Sequence, residues 1–416
     1  MPVQLLSETE NGLRVCAASA RLSTKEGTAI STFEASLGDE KDVKLVGKVL
    51  SSGHKSILEH HSASFAFTDV PVTVEQFLIE HRLASFTVKS RRYVNYGGMG
   101  YYMPNLPEDA EKAYKAHMDF LFQTYGELVK RGVPMEDARF VLPYCFYTNF
   151  YATANVREWL HIACDMLYGR GRLLPELAEA ARPIQAWLEA RYPGALEAER
   201  AALQPSTPVA PSCESVGEAH VVKGDIEILA MSNYRPEGDV ARYITDARPR
   251  ALEMMQYVFR AEHISLAAVT HFARHRMQSP DFPDVAEVLK SNGHILPESI
   301  SGNAEAKALY EEAFAKNRIA AETFIGHNCL RFFALAGNTA SFPFAMNARE
   351  LLLFMRLRAC NRAQWEIRAV AQELLKKLRE RDPELFYGYG AACYVTGRCP
   401  EGRLSCGRPY RRENAE

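Results

Sequence analysis

The feature of this sequence that most limits its possible folds is an internal repeat. Three short motifs of the first half recur in the same order 192 to 194 residues later: His81-Arg at His275-Arg, Ala138-Arg-Phe at Leu330-Arg-Phe, and Asn155-Val-Arg-Glu at Asn347-Ala-Arg-Glu. Chance rarely produces three matches in one order at nearly one offset. The repeat therefore predicts two copies of a single folding unit.

The two copies are separated by a stretch with the composition of a linker. Residues 205–213, PSTPVAPSC, are rich in proline and serine and show no apolar periodicity. We therefore predict a first domain at residues 1–204, a linker at 205–213 and a second domain at 214–416.

Local patterns predict an α+β fold in each copy, with a mixed or antiparallel sheet and long helices. Phe65–Phe67 and Val70–Val74 are predicted to be short strands, and a helix is predicted over residues 75–81. The spacing of Asn347 and Glu350 is that of a capping box, and it predicts the start of a helix that stays amphipathic for several turns. A helix is predicted to start in the same way at Asn155. Neither a Rossmann motif nor a P-loop is present.

Composition excludes several classes of partner. With 47% hydrophobic residues, 24% charged residues and a net charge of −2, the chain lacks the basic excess that favours binding to nucleic acid or to a membrane surface. It has no run of about eighteen apolar residues, and its N-terminus lacks the pattern of a secretory signal. We therefore expect a cytoplasmic protein that binds neither nucleic acid nor membranes.

The nine cysteines, an odd number, do not have the pattern of a disulfide framework. Cys393, Cys399 and Cys406 lie close together in sequence, but no fourth ligand is evident and their gaps are not those of a CxxC zinc knuckle. We expect no bound metal and reduced thiols in a turn-rich tail. The sequence leaves the role of this tail open.

Two basic segments are candidates for binding an anionic ligand. In the first copy, Ser90-Arg91-Arg92 places a hydroxyl beside two guanidinium groups, which suits a phosphate. In the second copy, Arg274-His275-Arg276 follows His271 by one helical turn, and these cationic groups repel one another unless an anion or an acid lies near. A solvated basic turn and a surface cluster are the respective alternatives.

These segments resemble the signature of the flavin-dependent thymidylate synthases (the ThyX family), which is RHR, seven residues, a serine and then closely RY. Four further stretches are similar to that family: Gly53–His60, Arg139–Pro143, Asn347–Glu350 and Arg358–Ile367. The similarity covers most of both halves. The chain is therefore identified as a tandem duplication of the ThyX fold with diverged halves.

The resemblance implies a set of site residues wherever the residues match. For the nucleotide dUMP these are Ser90, Arg91, Arg92 and Arg139 in the first copy and His271, Arg274, Arg331 and Arg358 in the second. For the cofactor FAD they are Ser23, Ser56, Glu59, Arg274, His275, Arg276, Asn347 and Arg349. Arg358 is implied to hold the uracil ring and to be the catalytic residue.

Each copy departs from the family pattern in a different part. The first copy has Glu80 where RHR begins, Val88 where the family places a nucleotide-binding glutamate, and Met166 where the uracil-facing arginine stands; it also lacks AQWEI. The second copy keeps these helix features but has an acidic stretch, Pro280–Asp284, in place of the phosphate loop, which would repel a phosphate. Family sites lie between subunits, so the complementary losses imply one composite site per pair of unlike copies, with the opposite site inactive.

The implied reaction is the reductive C5-methylation of dUMP, in which reduced FAD delivers hydride, methylenetetrahydrofolate supplies the carbon and NADPH regenerates the flavin. The protein then positions the reactants and stabilises charge. Two alternatives stay open: a related flavoenzyme that alkylates another pyrimidine nucleotide, which Val88 invites, and a non-catalytic homologue that binds flavin or nucleotide. A homodimer of tandem chains, mimicking a family tetramer, is the expected assembly.

Overall fold

Two packing units make up the chain, each built mainly from one repeat. The computed structural model describes residues 1–204, 213–238, 240–245 and 249–410. The first unit contains Met1–Gly126, Leu142–Glu214 and Ala320–Ala334, and the second contains Glu127–Val141, Ser215–Ile319 and Leu335–Glu416. Each unit thus includes a short segment of the other repeat, and the domain boundaries given above remain predictions. Apart from Cys213, the predicted linker lies outside the described residues.

The first unit contains one antiparallel sheet and a set of helices. Its strands are β1 (Val3–Glu8), β2 (Ser62–Pro71), β3 (Ser85–Val88) and β4 (Tyr147–Asn155). Its helices are α1 (Gly12–Leu22), α2 (Ala29–Glu34), α3 (Glu40–Ser51), α4 (Val72–Ile79), most of α5 (Glu108–Lys130), α7 (Val156–Leu167), α8 (Pro175–Arg191) and α9 (Ala195–Ala201), with 3-10 helices at Ser56–His60 and Asn328–Phe333. The strand order is β1-β2-β4-β3.

The second unit repeats this plan. Its strands are β5 (His220–Val221), β6 (Asp225–Met231), β7 (Gln256–Ser265), β8 (Gln278–Pro280), β9 (Gly293–His294) and β10 (Thr339–Asn347). Its helices are α6 (Met135–Ala138), α10 (Val240–Thr245), α11 (Leu266–Ala273), α12 (Val288–Ser291), α13 (Glu298–Ser301), most of α14 (Ala304–Glu322), α15 (Ala348–Arg358), α16 (Trp365–Arg381), α17 (Pro383–Phe386) and α18 (Ala392–Thr396), with 3-10 helices at Arg139–Val141, Arg250–Met254, Val285–Glu287 and Gly402–Leu404. The main sheet is antiparallel with the order β6-β7-β10-β8, the same as in the first unit. The predicted α+β class with antiparallel sheets is confirmed.

The two sheets also share an irregularity at the same place. In the first, the pairing of β2 with β4 shifts register between Phe67 and Val70, and Asp69 has a positive φ of 47°. In the second, the pairing of β7 with β10 shifts register just before Ile264, and His263 has a φ of 52°. A left-handed conformation is uncommon outside glycine. Its recurrence at equivalent bulges supports the duplication independently of the sequence motifs.

Aromatic packing fixes the helices that carry the candidate site. In the second unit, the Phe272 ring of α11 lies 5.2 Å from the Phe344 ring of β10 and 5.6 Å from the Phe354 ring of α15, measured between ring centroids. All three side chains are buried. Because these helices are held against one sheet and against each other, the ends that follow Phe272 and Phe354 lie side by side.

Two of the predicted elements are wrong in extent. Val70–Val74 is not a separate strand, because β2 continues to Pro71 and α4 begins at Val72. Every residue of α4 is buried, and this packing outweighs the strand preference of its β-branched residues. The helix predicted after Asn347 is two helices, since α15 ends at Arg358 and the Gln364 side chain caps α16 by accepting from the Ile367 N–H at 3.0 Å.

The helix starts predicted at Asn155 and Asn347 are confirmed. The Asn155 side chain accepts from the Glu158 N–H at 2.9 Å, and the Asn347 side chain accepts from the Glu350 N–H at 2.8 Å. The capping box is only half formed in the second unit, because the Glu350 carboxylate instead contacts His275, which lies just after α11.

Candidate active site

The predicted phosphate loop follows β3, at the edge of the sheet in the first unit. Arg91 turns inward, is buried, and forms an ion pair with the buried Glu75 of α4. Thr148 donates a hydrogen bond to the same carboxylate at 2.9 Å. Arg92 is half-buried, and its backbone N–H donates to the Ser90 hydroxyl at 3.2 Å. Arg91 therefore anchors the loop, while Ser90 and Arg92 follow the outer turn.

At the end of α11, the RHR triplet does not form one basic surface cluster. Arg274 and Arg276 are exposed, whereas His275 is buried against α15. The His275 Nδ1 and the Glu350 carboxylate are 2.7 Å apart, and the Arg358 Nε donates to His275 Nε2 at 3.0 Å. Arg358 also donates to the His271 carbonyl at 3.3 Å.

This chain of hydrogen bonds defines the state of His275. Because Nε2 accepts from a guanidinium, the ring proton must be on Nδ1, from which it is donated to Glu350. Burial lowers the pKa of His275; Glu350 opposes this effect and the Arg358 charge adds to it. His275 is therefore a neutral acceptor that orients Arg358. Sequence reasoning assigned Glu350 only a capping role, because no local spacing signals a contact between residues 75 positions apart.

The equivalent position in the first unit is organised differently. Met166, the counterpart of Arg358, is fully buried, and a guanidinium is supplied instead by Arg170. Arg170 pairs with Glu80 at 3.0 Å and with Asp165 at 3.1 Å. His81, the counterpart of His275, lies 3.5 Å from Asp165. Sequence reasoning did not identify Arg170 or Asp165, which have no equivalent in the family motif.

The electrostatics of the two positions differ accordingly. Although burial would raise it, hydrogen bonding from His81 and the Arg170 charge lower the pKa of Asp165 to about 2. Arg170 is therefore held by an ionised carboxylate and by a second acidic group, Glu80. The two acceptors described for Arg358 carry no charge. An anionic or electron-rich ring is thus better served by the second unit than by the first.

In the acidic stretch of the second unit, Asp281 and Asp284 form hydrogen bonds with backbone groups of the same unit. The Asp284 carboxylate accepts from the Ala286 N–H at 2.8 Å and caps the 3-10 helix that leads into α12. Asp281 is exposed, and its N–H donates to the Pro343 carbonyl at 3.0 Å. These contacts keep a short acidic turn where the first unit has Ser90 and Arg92.

The predicted flavin contacts lie mainly on exposed surface. Ser23 and Ser56 are exposed, at the end of α1 and the start of a 3-10 helix. Glu59 pairs with Arg157 at 2.5 Å, and Arg349 pairs with Glu253 in the same way in the second unit. Asn347 uses its side-chain oxygen as the cap of α15. Both repeats therefore have an ion pair at the equivalent surface position. The sequence analysis named Glu59 and Arg349 but not their partners, Arg157 and Glu253.

Arg139 and Arg331 are buried, and each lies in the unit built mainly from the other repeat. Arg139 belongs to the second unit, where its Nε donates to the Glu136 carbonyl at 3.1 Å and its charge acts on Glu366. Arg331 belongs to the first unit, 3.7 Å from the Glu176 carboxylate. The structure thus places Arg139 in the same unit as Arg358, and Arg331 in the same unit as Ser90 and Arg92.

A cavity of about 720 Å³ lies at the start of α16 in the second unit. Its walls are mostly apolar, and it reaches the buried Glu366, whose pKa is raised to about 7 by burial against hydrogen bonds from Ser265. None of the predicted site residues is among the described residues that line it. The cavity is therefore separate from the hydrogen-bonded group around Arg358.

We expect the His275 contact to set an acid limit on nucleotide binding. The lowered pKa means that His275 is neutral from its ordinary pKa of 6.5 upward and gains a proton only at lower pH. Protonation removes the acceptor for Arg358 and places two cations together, so affinity for the expected nucleotide, dUMP, should fall at pH values below the ordinary pKa of histidine. Folding stability should fall in the same direction, because the unfolded chain takes up this proton first.

Calorimetric titration with dUMP between pH 5 and 8 would measure this limit. His275→Gln keeps an acceptor oxygen but binds no proton, so its acid limb should be displaced or lost. His81→Gln is the matched control in the first unit and should retain the acid limb of the unmodified chain. An identical acid limb in His275→Gln would contradict the assignment.

Comparison with known proteins gives two matches to one family. The family model described as "Thymidylate synthase complementing protein" matches residues 4–193 and 219–384. A flavin-dependent thymidylate synthase of Thermococcus onnurineus is 34% identical over 205 residues, covering 44% of this chain and 82% of the relative. That of Geobacter sulfurreducens is 33% identical over 166 residues, covering 39% and 71%. Within the described residues, no helix is both long enough and apolar enough to cross a membrane.

Proposed function

This chain belongs to the thymidylate synthase complementing protein family, and we propose from that membership that it methylates dUMP at C5. It is an FAD-dependent enzyme of the thymidylate synthase type. In our proposal methylenetetrahydrofolate supplies the carbon and NADPH the reducing equivalents. The observation that carries the proposal is the buried chain from Glu350 through His275 to Arg358, which fixes one guanidinium in a defined direction.

The exposed cations of the second unit fit the chemistry of FAD. Arg274, Arg276 and Arg349 offer guanidinium groups at the end of α11 and the start of α15, and such donors suit a pyrophosphate. Bound FAD would supply the hydride of the reaction. Ser23, Ser56 and Glu59 in the first unit and Asn347 in the second remain proposed contacts to the same cofactor.

We assign the phosphate of dUMP to Ser90 and Arg92. The buried pair of Arg91 with Glu75 holds the loop in place, so Arg91 is proposed as a positioning residue and not as a phosphate ligand. Arg139, Arg331, His271 and Arg274 remain proposed nucleotide contacts. Of these, Arg139 and Arg331 are already buried beside carboxylates, which favours a supporting role.

Arg358 is the proposed catalytic residue. A guanidinium beside the pyrimidine stabilises negative charge that builds up on the ring as C5 reacts. His275 contributes by holding Arg358 at its Nε, which leaves the direction of the guanidinium plane fixed. Since His275 accepts from Arg358 and donates to Glu350, we do not assign it as a general base.

We further propose that only one of the two kinds of site is active. The residues present in each unit, considered separately, support this proposal. The first unit has the Ser90–Arg92 loop but an arginine neutralised by Glu80 and Asp165. The second has the Arg358 group but an acidic turn around Asp284. A working site needs the loop of one repeat and the helices of the other, which a homodimer of tandem chains would supply.

A reaction assay tests the proposed activity. Tritium release from C5-labelled dUMP should require FAD, methylenetetrahydrofolate and NADPH, and should exceed release from labelled dCMP or UMP. Preference for another pyrimidine nucleotide would favour the related flavoenzyme, for which Val88 on β3 is the supporting observation. Flavin binding without release from any of the three would favour the non-catalytic homologue. We retain a cytoplasmic location as a prediction.

Stoichiometry tests the division between the repeats. Because only one kind of site combines Ser90 and Arg92 with Arg358, titration calorimetry of the FAD-loaded protein should find about one dUMP per chain. At the opposite kind of site, carboxylates would stand where a dianion needs guanidinium groups, and like charges disfavour binding. Two equivalent dUMP sites per chain would refute the division of labour.

A further inference from the structure

Eight of the nine cysteines fall into two groups by their surroundings, and the ninth, Cys213, is a buried residue at the end of the predicted linker. Cys16, Cys145, Cys164 and Cys329 are buried in apolar surroundings, and burial raises the pKa of each thiol. Such thiols are unreactive packing residues. The second group lies in the second unit: Cys360 in the turn between α15 and α16, and Cys393, Cys399 and Cys406 in and after α18.

Cys360 brings a fourth thiol to the three that are close in sequence. The side chain of its neighbour Asn361 donates to Cys406 Sγ at 3.9 Å and to the Arg408 carbonyl at 3.1 Å. Tyr410 connects Asn361 to Cys393, because its hydroxyl donates to the Asn361 side chain at 2.8 Å and its N–H donates to Cys393 Sγ at 3.3 Å. The turn at 360–361 and the segment 393–410 are therefore tied together.

The four thiols lie within electrostatic range of one another, because Cys393, Cys399 and Cys406 each act on the Cys360 thiol. None of these four thiols has a role in the proposed reaction.

Three of the four sulfurs accept backbone N–H groups. Cys360 Sγ accepts from the Arg362 N–H at 3.5 Å and Cys406 Sγ from the Arg408 N–H at 3.4 Å, in both cases two residues further along. Gly407, with a φ of 69°, turns the chain so that the Arg408 N–H faces the sulfur. Such donors stabilise sulfur in its thiolate form, the form that binds metals.

After α18 the segment has no buried core of its own, because no residue from 396 to 410 is buried. The 3-10 helix Gly402–Leu404 has no buried residue, and Leu404 is exposed. Four arginines lie near the four cysteines in the sequence: Arg362, Arg398, Arg403 and Arg408. They would offset the double negative charge of a divalent cation bound by four thiolates.

We propose a structural zinc site whose four ligands are Cys360, Cys393, Cys399 and Cys406. Four thiolates around Zn²⁺ are a common structural centre that closes small segments lacking a core. As the side chains stand, no group of three or more His, Cys, Asp or Glu residues within the described part of the chain is arranged to hold a metal ion. Binding therefore requires the cysteine side chains to rotate inward, which couples the metal to closure of the tail.

Metal analysis of the purified full-length chain tests the site. We expect about one zinc per chain, resistant to dialysis and removed by a strong chelator at a cost in melting temperature. Co²⁺ added to the chelated protein should give the intense visible absorption of tetrahedral cobalt–thiolate complexes. Absence of zinc together with absence of this absorption, or a disulfide joining any two of the four cysteines, would overturn the proposal.

Variants separate the site from general folding. Cys399→Ser and Cys406→Ser lie in the exposed tail and should lose the zinc while dUMP binding persists. Cys164→Ser removes a buried cysteine of the other unit and should keep zinc at the full amount. Full zinc retention in both tail variants would exclude these cysteines as ligands. Because the cobalt spectrum is recorded on the unmodified chain, the test stands even if a variant fails to fold.

Discussion

Replacing Arg358 by alanine should lower kcat for dUMP methylation by at least about 100-fold, the usual loss when one charge-stabilising donor is removed from an active site. The physical reason is that the guanidinium, held at Nε by His275, is the group proposed to stabilise charge on the pyrimidine ring. FAD content should change little, since the proposed flavin contacts lie on other residues. Tritium release measures kcat, and the absorbance of bound flavin measures cofactor content.

Two variants of the first unit are the matched controls. Arg170→Ala removes the guanidinium that stands near the counterpart position, so it should leave kcat unchanged while lowering stability, because Glu80 and Asp165 lose their partner. Met166→Arg should not raise kcat, since a single arginine cannot restore the missing motif around it. Loss of activity in Arg170→Ala with retention in Arg358→Ala would place the reaction in the other kind of site.

Replacing Arg92 by alanine should weaken dUMP binding by about 1.5–3 kcal/mol, or roughly 10- to 150-fold, the range for hydrogen bonds to charged groups. Arg92 follows Ser90 at the edge of the sheet, whereas the adjacent Arg91 is occupied by Glu75. Calorimetric titration of the FAD-loaded variant with dUMP measures the change, and flavin content should stay the same.

Arg82→Ala is a suitable control for Arg92, because Arg82 is an exposed arginine of the same unit outside the proposed phosphate loop. Its dUMP affinity should match that of the unmodified chain. An unchanged affinity in Arg92→Ala would remove the phosphate assignment. An equal weakening in both variants would indicate that the general charge of this surface, and not a defined phosphate contact, attracts the nucleotide.

Sequence patterns were sufficient for the architecture. The repeat predicted two equivalent sheets, and the asparagines at 155 and 347 predicted the start of two helices, because capping depends only on neighbouring residues. The break between α15 and α16 was missed because both helices bury an apolar face, so the periodicity continues across it. Val72 was misassigned because burial on all sides outweighs local preference.

The sequence predicted which residues belong to the candidate site, but not which side chains they contact. The motifs pointed to Arg358, His275 and the phosphate loop, yet the pairing of His275 with Glu350 and of Arg91 with Glu75 depends on contacts far apart in sequence. Cys360 was missed for the same reason, since it lies 33 positions before Cys393, the next cysteine of its group. Charge partners and ligand sets need the fold before they can be recognised.

The assignment of residues 127–141 to the second unit bears on how this gene can evolve. Within that unit, Asp137 accepts from the Trp365 indole at 2.7 Å and from the Ser299 hydroxyl at 2.6 Å. A second repeat produced without the first would therefore lack the acceptor of both donors. Selection must preserve residues 127–141 for the sake of the other half's fold, whatever becomes of catalysis in their own.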